Sequence, residues 1–564
     1  MFSRFKLTLK RRNIKQKILE LEEDYYRGEE GEAERMEDIS AFLTERADVP
    51  IEEINVIYPV NPPFQFAQIV YDPIEMELLY KAIEPDLTQK EANYLSTINL
   101  LLDNIRIDTR MLVLERERQL RERVNEIIES YDMPLDSFQR EKIIYTLLRE
   151  YTGYGRIDVL MHDRYIEDIS CNGPGDPLYI YHRIFESCRT NIVIDELELN
   201  RFVLKLAQSA GKYISISQPI TDATLPDGSR VNLTLGEEVT RKGSTFTIRK
   251  FKHDPISPIE LMKYGSASAE LFAFLWILLQ YNKSILVSGS TAAGKTTFLN
   301  ALCMFLNKEA KIVSIEDTAE INIYHDNWIQ SVARVGFGGG RGGESGISGT
   351  SGISGISGIQ RRPGDITLYD LLAAALRQRP DYIIVGEVRG AEAYTMFQAI
   401  SVGHPSLGTI HSGSLPELIS RIESNPMNVP RPLFASLDAV VFTSIVPGNV
   451  QEEQKKQRKK RRVKSVVEIL DLDLDTNDLM TNEVMRWEPA DDSFRFTKSF
   501  LFEEISQEFG VKERELRGEM KRRADILNYI SEMNITDFRD VTRLIQSYHI
   551  NPDGIFEMIE EVAP

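Results

Sequence analysis

The sequence predicts an α/β domain built around a parallel sheet, preceded by a smaller α+β domain, with helical extensions at both ends. Strand and helix patterns alternate from 260 to about 447, as in a parallel sheet with crossover helices. Short β-like runs surround one helical pattern between 157 and 250, which indicates an α+β domain. Apolar residues at helical spacing fill 88–150 and recur in 499–564, which predicts the two helical segments.

Changes in composition and residue pattern along the chain predict where these parts begin and end. At roughly 100–200 residues per domain, 564 residues suffice for two to four domains. Pro255 and Pro258 interrupt the pattern between the two folded domains and predict a hinge there. The predicted parts are a variable N-terminal extension (1–90), an α+β domain with a helical lead-in (91–254), the hinge linker (255–259), an α/β domain (260–498) and a helical C-terminal region (499–564).

Composition excludes several classes of protein. The longest apolar run, 271–279, is too short for a membrane helix, which needs about 20 residues. A net charge of −19, from 67 basic and 86 acidic residues, argues against a protein that coats nucleic acid. The cysteines lack the spacing of a zinc site or a disulfide framework, which fits a reducing cytoplasm. They are Cys171, Cys188 and Cys303.

Two segments of biased composition are predicted to be loops. Gly336–Ile359 contains 16 Gly or Ser residues among 24, which is typical of a flexible surface insertion. Lys455–Lys464 contains eight basic residues in ten positions. A solvated loop between strands is the favoured interpretation of this basic run, and contact with anionic lipid is the alternative.

The strongest motif is a complete phosphate-binding loop, G-x-x-x-x-G-K-S/T, between an apolar strand and a helix. Its glycines let backbone N–H groups surround phosphate oxygens, and the helix N-terminus adds partial positive charge. Lys295 is predicted to contact the β- and γ-phosphates of ATP or GTP, and Thr296 to bind Mg²⁺. The predicted nucleotide-binding residues are Gly289, Ser290, Thr291, Ala292, Ala293, Gly294, Lys295, Thr296 and Thr297.

Two other apolar strands end in acids, and the carboxyl ends of parallel strands meet at one edge of a sheet. Glu316 follows the run beginning at Ile312 and is predicted to polarise the attacking water. The alternative is that Glu316 caps the next helix or lies in solvent. Glu387 ends a Walker-B-like strand and is predicted to act on Mg²⁺ or its water shell.

A histidine and a set of arginines complete the candidate site. His411 follows a further predicted core strand and is interpreted as a sensor of the γ-phosphate, with a packing role as the alternative. Arg230, Arg241 and Arg249 lie on the β-rich segment before the hinge. Surface arginines usually only solvate a strand, but in a ring they could complete a neighbour's site.

The order of these motifs resembles the secretion ATPases of the type II/type IV superfamily, and more specifically the archaeal motors of type IV pilus-like filaments, archaella and related secretion. The matching segments are GSTAAGKTT, SIEDTAEI, RQRPDYIIVGEVRGAEA and GHPSLGTIH, supported by LPDGSRVN and GSTFTIRKF. The resemblance spans roughly 140–564 and is most specific over 226–425. The Gly/Ser insertion departs from the family pattern, and the four-cysteine zinc module of some bacterial relatives is absent.

The resemblance implies a hexameric ATPase in which a RecA-like motor domain follows an N-terminal domain, with ATP and Mg²⁺ as ligands. It implies that Glu316 is the catalytic glutamate, Glu387 the Walker-B acid and His411 part of the histidine box. Arg230 and Arg241 become candidate arginine fingers. The implied partners are a polytopic membrane platform protein and, indirectly, pilin-like or archaellin-like subunits, with the ATPase on the cytoplasmic face of the cell membrane.

Two other classes of function compete with this interpretation. A RecA-like nucleic-acid motor is the main alternative, because a phosphate-binding loop does not identify the cargo. The net charge of −19 and the lack of a basic groove interleaved with aromatics argue against it, so no nucleic-acid partner is expected. A nucleotide-gated switch without turnover is disfavoured because Glu316 and Glu387 are both present.

Overall fold

The chain forms two compact units, Met1–Phe251 and Lys252–Pro564. The computed structural model describes residues 49–102, 113–251, 254–334, 365–446, 460–473 and 475–552, with single residues between 39 and 47 and between 554 and 559. The Gly/Ser-rich segment Gly336–Ile359 lies outside the described residues.

Nine strands of the N-terminal unit form one sheet. They are β1 (Asn55–Asn61), β2 (Gln65–Asp72), β3 (Glu77–Ile83), β4 (Ile166–Cys171), β5 (Pro177–His182), β6 (Glu186–Val193), β7 (Ile220–Thr224), β8 (Arg230–Thr234) and β9 (Thr245–Arg249). Their order across the sheet is β1-β2-β3-β6-β5-β4-β9-β8-β7. Neighbours are antiparallel except β3 and β6, which pair in parallel.

Three of these strands, β1 to β3, come from the segment that the sequence analysis treats as a variable extension. Tyr58, Ile69 and Tyr80 from these strands are buried in the same core as the strands of 157–250. Buried and exposed side chains do not alternate clearly in β2, because five consecutive residues are buried. The sequence therefore carries no clear strand signal there. The boundary at residue 90 stays a prediction, although β3 is joined to β6 by hydrogen bonds.

Helices flank this sheet and form a small core of their own. They are α1 (Gln89–Leu102), α2 (Val113–Ser130), α3 (Ser137–Tyr151), α4 (Asp158–His162) and α5 (Glu196–Ser209). Short 3₁₀ turns occur at Ile51–Glu53 and Gly155–Ile157. The first three helices match the predicted helical lead-in and pack through Ile98, Val124 and Ile144. Asp136 and Gln139 form a capping box that fixes the start of α3.

The C-terminal unit holds a second nine-stranded sheet. Its strands are β10 (Ile285–Gly289), β11 (Ile312–Glu316), β12 (Trp328–Val332), β13 (Tyr382–Val388), β14 (Ser406–Ile410), β15 (Ala439–Val446), β16 (Lys460–Leu472), β17 (Leu479–Glu488) and β18 (Ser493–Phe496). Their order is β12-β11-β13-β14-β10-β15-β16-β17-β18. The pairs from β12 to β15 are parallel, as the sequence predicts, and those from β15 to β18 are antiparallel.

Helices cover both faces of the second sheet. They are α6 (Pro258–Lys263), α7 (Ala269–Gln280), α8 (Lys295–Cys303), α9 (Leu368–Arg377), α10 (Glu392–Ser401), α11 (Leu415–Glu423), α12 (Arg431–Phe434), α13 (Leu501–Phe509), α14 (Glu513–Glu532) and α15 (Phe538–Ile550). The apolar run 271–279 is buried as the central part of α7. None of the helices in the described ranges is long and apolar enough to cross a bilayer.

The basic run Lys455–Lys464 is not a loop in the part that the structure describes. Residues from Lys460 onward belong to β16, which pairs with β15. Arg462 is buried and donates two hydrogen bonds of 2.8 Å to the carboxylate of Asp492 and one of 3.0 Å to the Tyr264 carbonyl. A buried guanidinium is tolerated when its donors are satisfied, so this part of the run is structural. The loop prediction is therefore wrong for 460–464.

Candidate active site

The phosphate-binding loop follows β10, which lies between β14 and β15 in the parallel part of the sheet. Gly289 must be glycine, because a Cβ there would collide with the backbone oxygen of Thr443. Gly294, at φ +87°, immediately precedes α8 and adopts a left-handed conformation that favours glycine. The loop therefore turns sharply from the strand into the N-terminus of α8, as the motif predicts.

Lys295, the first residue of α8, points back over the loop. Its ammonium donates to the Ser290 carbonyl at 3.0 Å and lies 3.2 Å from His411 Nδ1. Burial lowers the pKa of Lys295, and the carboxylates of Glu387 and Glu320 partly oppose this effect. The phosphate loop thus presents a buried cation whose acidic counter-charges come from Glu387 on β13 and from Glu320 in the turn after β11.

His411 connects Lys295 to the Walker-B-like acid. It follows β14 directly, and its Nε2 lies 3.4 Å from Glu387 Oε1 at the end of β13. Burial and the nearby Lys295 charge lower the pKa of His411, while Glu387 raises it. Three predicted site residues, Lys295, His411 and Glu387, therefore meet at the carboxyl edge of the sheet.

Glu316 is placed differently from the other predicted residues. It ends β11 with 1% of its surface exposed. Its Oε2 accepts the backbone N–H groups of Glu320 at 2.6 Å and Ile321 at 2.8 Å, and its Oε1 accepts the Gln330 amide at 3.1 Å. Burial raises the pKa of Glu316, and these three hydrogen bonds oppose the rise. Both carboxylate oxygens are thus occupied by groups of the protein.

Glu320 is a second acid of this segment whose charge affects Lys295. It is only partly buried, and its charge contributes to the pKa of Lys295. The sequence analysis did not select it, because it treated Glu316 as the acid that ends the strand. The spacing of SIEDTAEI, with a second glutamate four residues later, is the signal that could have identified it.

Two protein-family models match this chain. A family model described as "Type II/IV secretion system protein" matches residues 186–479, and one described as "PilB3-like, C-terminal" matches residues 490–562. The chain belongs to the type II/IV secretion system protein family. It is an ATPase of the secretion type, which confirms the enzymatic activity expected from the sequence. The parallel strands around β10 and the phosphate-binding loop that follows it confirm the predicted α/β fold class.

Among curated relatives, the uncharacterized protein MJ0900 of Methanocaldococcus jannaschii is 34% identical over 524 residues, covering 88% of this chain and 89% of its own. The uncharacterized protein MJ1287 of the same organism is 40% identical over 292 residues, covering 52% of this chain and 97% of its own.

Two solved structures are similar to this chain at low sequence identity. The Legionella pneumophila ATPase DotB is 14% identical, with a TM-score of 0.35, over 71% of this chain and 92% of its own. The pilus retraction motor PilT with bound ADP is 16% identical, with a TM-score of 0.36, over 71% of this chain and 93% of its own.

Three further arginines surround the site of this ATPase. Arg461 on β16 donates from Nε to the Ala292 carbonyl of the phosphate loop at 2.9 Å. Arg389, just after β13, forms an ion pair with Asp317. The charge of Arg421 on α11 lowers the pKa of Lys295 and of His411. The sequence analysis missed these residues, because they depend on how distant elements pack.

The predicted arginine fingers lie in the N-terminal unit. Arg230 begins β8, where its backbone pairs with that of Arg249 on β9. Arg241 lies in the exposed connection between these two strands. Arg249 forms an ion pair of 3.3 Å with Asp168. The role of Arg230 and Arg241 as fingers for a neighbouring subunit stays a prediction.

The residues predicted to bind Mg²⁺ have suitable chemistry. Thr296, the second residue of α8, offers a hydroxyl beside the phosphate loop, and Glu387 offers a partly exposed carboxylate. Mg²⁺ prefers oxygen ligands and usually takes most of them from phosphates and water. A hydroxyl and a carboxylate at the carboxyl edge of the sheet therefore fit the ion.

Proposed function

We propose that this ATPase works as a hexamer that drives assembly or secretion of type IV pilin-like subunits, as in a pilus, an archaellum or a related secretion system. It would act at the cytoplasmic face of the cell membrane, on a polytopic platform protein. The observation that supports the motor function most directly is the Lys295–His411–Glu387 contact chain, which links the phosphate loop to two neighbouring strands. A change at the γ-phosphate would therefore affect helix α8 and the ends of strands β14 and β13.

Each residue of the chain has a distinct task in this proposal. The backbone N–H groups of the loop and Lys295 bind the β- and γ-phosphates. Thr296 and Glu387 hold Mg²⁺, which neutralises phosphate charge when bound. His411, between Lys295 and Glu387, detects whether the γ-phosphate is present.

We assign orientation of the attacking water to Glu320 rather than to Glu316. Glu316 would have to give up hydrogen bonds to two backbone N–H groups before it could accept a proton from water. Glu320 is more exposed, and its charge raises the pKa of Lys295. A group that accepts a proton must lie within hydrogen-bond reach of the water, which favours the more accessible of the two acids.

The experiment that tests the motor function measures ATP hydrolysis by the purified chain with three additions. The first is buffer alone, as the reference. The second is vesicles that contain both anionic lipid and the platform protein, and the third is single-stranded DNA. We expect vesicles to stimulate turnover and DNA to leave it unchanged, while Lys295→Ala is inactive throughout. Stimulation by DNA alone would instead support the alternative, a nucleic-acid motor.

The ring is tested separately by the mass of the particle in solution. We expect the chain to assemble into hexamers with ATP and Mg²⁺, measured by light scattering after size-exclusion chromatography. A fully active monomer would contradict the ring.

A further inference from the structure

We propose that Asn300, Glu316 and Gln330 form a clamp that holds the backbone of Glu320 in position against α8, the helix that carries Lys295. The term "turn clamp" is used here for these three side chains. They are positioning residues, since each acts on the turn 317–322 and not on the nucleotide. The inference rests on the proposed role of Glu320 in orienting water.

The first part of the turn clamp is the carboxylate of Glu316. Its Oε2 receives the N–H groups of Glu320 and Ile321, at 2.6 and 2.8 Å. These two bonds fix the backbone on both sides of the Glu320 Cα. Hydrogen bonds from N–H groups to a carboxylate are stronger than those to a neutral acceptor, so a glutamate at position 316 holds this turn better than a glutamine would.

The second part is the amide of Gln330 on the edge strand β12. Its Nε2 donates to Glu316 Oε1 and to the Ile321 carbonyl, both at 3.1 Å. Gln330 therefore occupies the carboxylate oxygen that the turn leaves unused and binds the turn itself. Gln330 is an exposed residue, so a substitution at this position removes no buried packing.

The third part ties the turn to the phosphate loop through α8. Asn300 donates from Nδ2 to the Glu320 carbonyl at 3.1 Å, and its Oδ1 accepts the Asn322 N–H at 3.1 Å. Asn300 lies five positions after Lys295 on the same short helix. The backbone of Glu320 is thereby attached to the element that carries Lys295.

A glycine beneath Glu316 restricts its movement. A Cβ at Gly386 on β13 would lie 3.0 Å from Glu316 Cγ, so the neighbouring strand packs directly against this side chain. With strand packing on one side and its oxygens occupied by protein donors, Glu316 is held as a fixed anchor. This arrangement suits a residue that positions another.

The main test is steady-state ATP hydrolysis by the full chain carrying Gln330→Leu. Loss of both Gln330 hydrogen bonds should let the turn shift, and small misplacements of catalytic groups can cost about 100-fold in rate. We expect kcat to fall about 10- to 100-fold while KM for ATP and the melting temperature are retained. The matched control is Gln398→Leu, at an exposed position on α10, which should leave kcat and KM unchanged.

A reciprocal exchange separates positioning from catalysis by Glu316. Glu316→Gln keeps an oxygen that can accept the two backbone N–H groups. Its new NH₂ group, however, lies against the NH₂ group of Gln330, so two donors face each other. Adding Gln330→Glu gives the NH₂ group at position 316 a carboxylate acceptor, so the double variant should recover part of the kcat that Glu316→Gln loses. No recovery relative to Glu316→Gln would contradict the turn clamp, because a catalytic carboxylate at position 316 could not be replaced in this way.

Glu320→Gln distinguishes failure of this inference from failure of the proposed function. If Glu320→Gln is inactive while Gln330→Leu keeps its full kcat, the turn clamp is wrong and the role of Glu320 stands. If Glu320→Gln hydrolyses ATP at the normal rate, the proposed role of Glu320 is wrong and the turn clamp falls with it.

Discussion

His411 accepts a hydrogen bond from Lys295 through Nδ1, and this requires an imidazole that is unprotonated at that atom. Burial and the Lys295 charge lower the pKa of His411 from the ordinary value of 6.5, so the imidazole stays neutral at pH 7. Protonation at lower pH would place two positive groups against each other. The ammonium of Lys295 would then be free to move away from its position over the loop.

We therefore expect ATP hydrolysis to be retained at pH 6.5 and to fall at lower pH, as His411 becomes protonated. His411→Asn keeps an oxygen that can accept from Lys295 but does not titrate. In this variant the decline of kcat/KM at acidic pH should be absent or shifted to lower pH, as measured over pH 5 to 8. An unchanged acidic decline in this variant would show that another group is responsible.

The sequence analysis also misjudged the strand β16, which brings a cation to the phosphate-binding loop. It returns antiparallel to β15, so that Arg461 reaches the Ala292 carbonyl at the tip of the phosphate loop. Ala292 adopts φ +63°, a left-handed conformation that costs energy for a residue with a Cβ. A hydrogen bond to its carbonyl supports this conformation.

Replacing Arg461 should therefore weaken ATP binding. For Arg461→Ala we expect KM for ATP to rise about 3- to 10-fold, since a single hydrogen bond contributes on the order of 1 kcal/mol. The control is Lys464→Ala, which removes an exposed cation from the same strand. A rise in KM that is equal in both variants would indicate a general effect of charge rather than a contact with the loop.

The sheet of the N-terminal unit contains a buried histidine whose protonation opposes folding. His182 on β5 is buried, accepts the N–H groups of Ile184 at 3.1 Å and Phe185 at 3.2 Å through Nδ1, and lies 3.2 Å from the Tyr58 hydroxyl. Burial lowers the pKa of His182 to about 4. The unfolded chain binds a proton at about pH 6.5, whereas the folded unit does not until about pH 4.

Because the folded pKa is the lower one, His182 contributes stability above pH 6.5 that is lost as the pH falls towards 4. The loss should reach roughly 3 kcal/mol in the free energy of unfolding. Thermal unfolding followed between pH 7 and 4 should show this decline, and His182→Gln should make it shallower. An equally steep decline in the variant would assign the acid sensitivity to other groups.

At the scale of the whole molecule, the proposed ring requires residues from two units at each site. The phosphate loop lies in the C-terminal unit, and Arg230 and Arg241 lie in the N-terminal unit. An arginine supplied by a neighbouring subunit would link hydrolysis to movement between domains. Arginine fingers in other P-loop enzymes contribute about 10³–10⁵ in rate.

A mixing experiment tests this sharing of sites. An Arg230→Ala/Arg241→Ala variant and a Lys295→Ala variant should each be inactive. Mixed rings would contain interfaces in which an intact phosphate loop faces intact arginines, so part of the ATPase activity should return. Absence of recovery after confirmed exchange of subunits would contradict the shared site.

Much of the fold could be predicted because it is encoded in local patterns. The parallel strands β10, β11, β13 and β14 are short apolar runs, and each lies close to its predicted position. The strands β1 to β3 and β16 were not recognised, because five consecutive buried residues in β2 and the basic start of β16 hide the strand period.

The sequence by itself determined the phosphate-binding loop and the edge of the sheet on which its partners lie. Glycines at fixed spacing and strands that end in Glu387 and His411 are enough for that, because parallel strands share one carboxyl edge. Only the tertiary structure decided that Glu316 is enclosed by the turn 317–322 and Gln330 while Glu320 stays partly exposed. The physical reason is that burial and hydrogen-bond partners depend on side chains distant in sequence, and two glutamates four residues apart are chemically identical until the fold surrounds one of them.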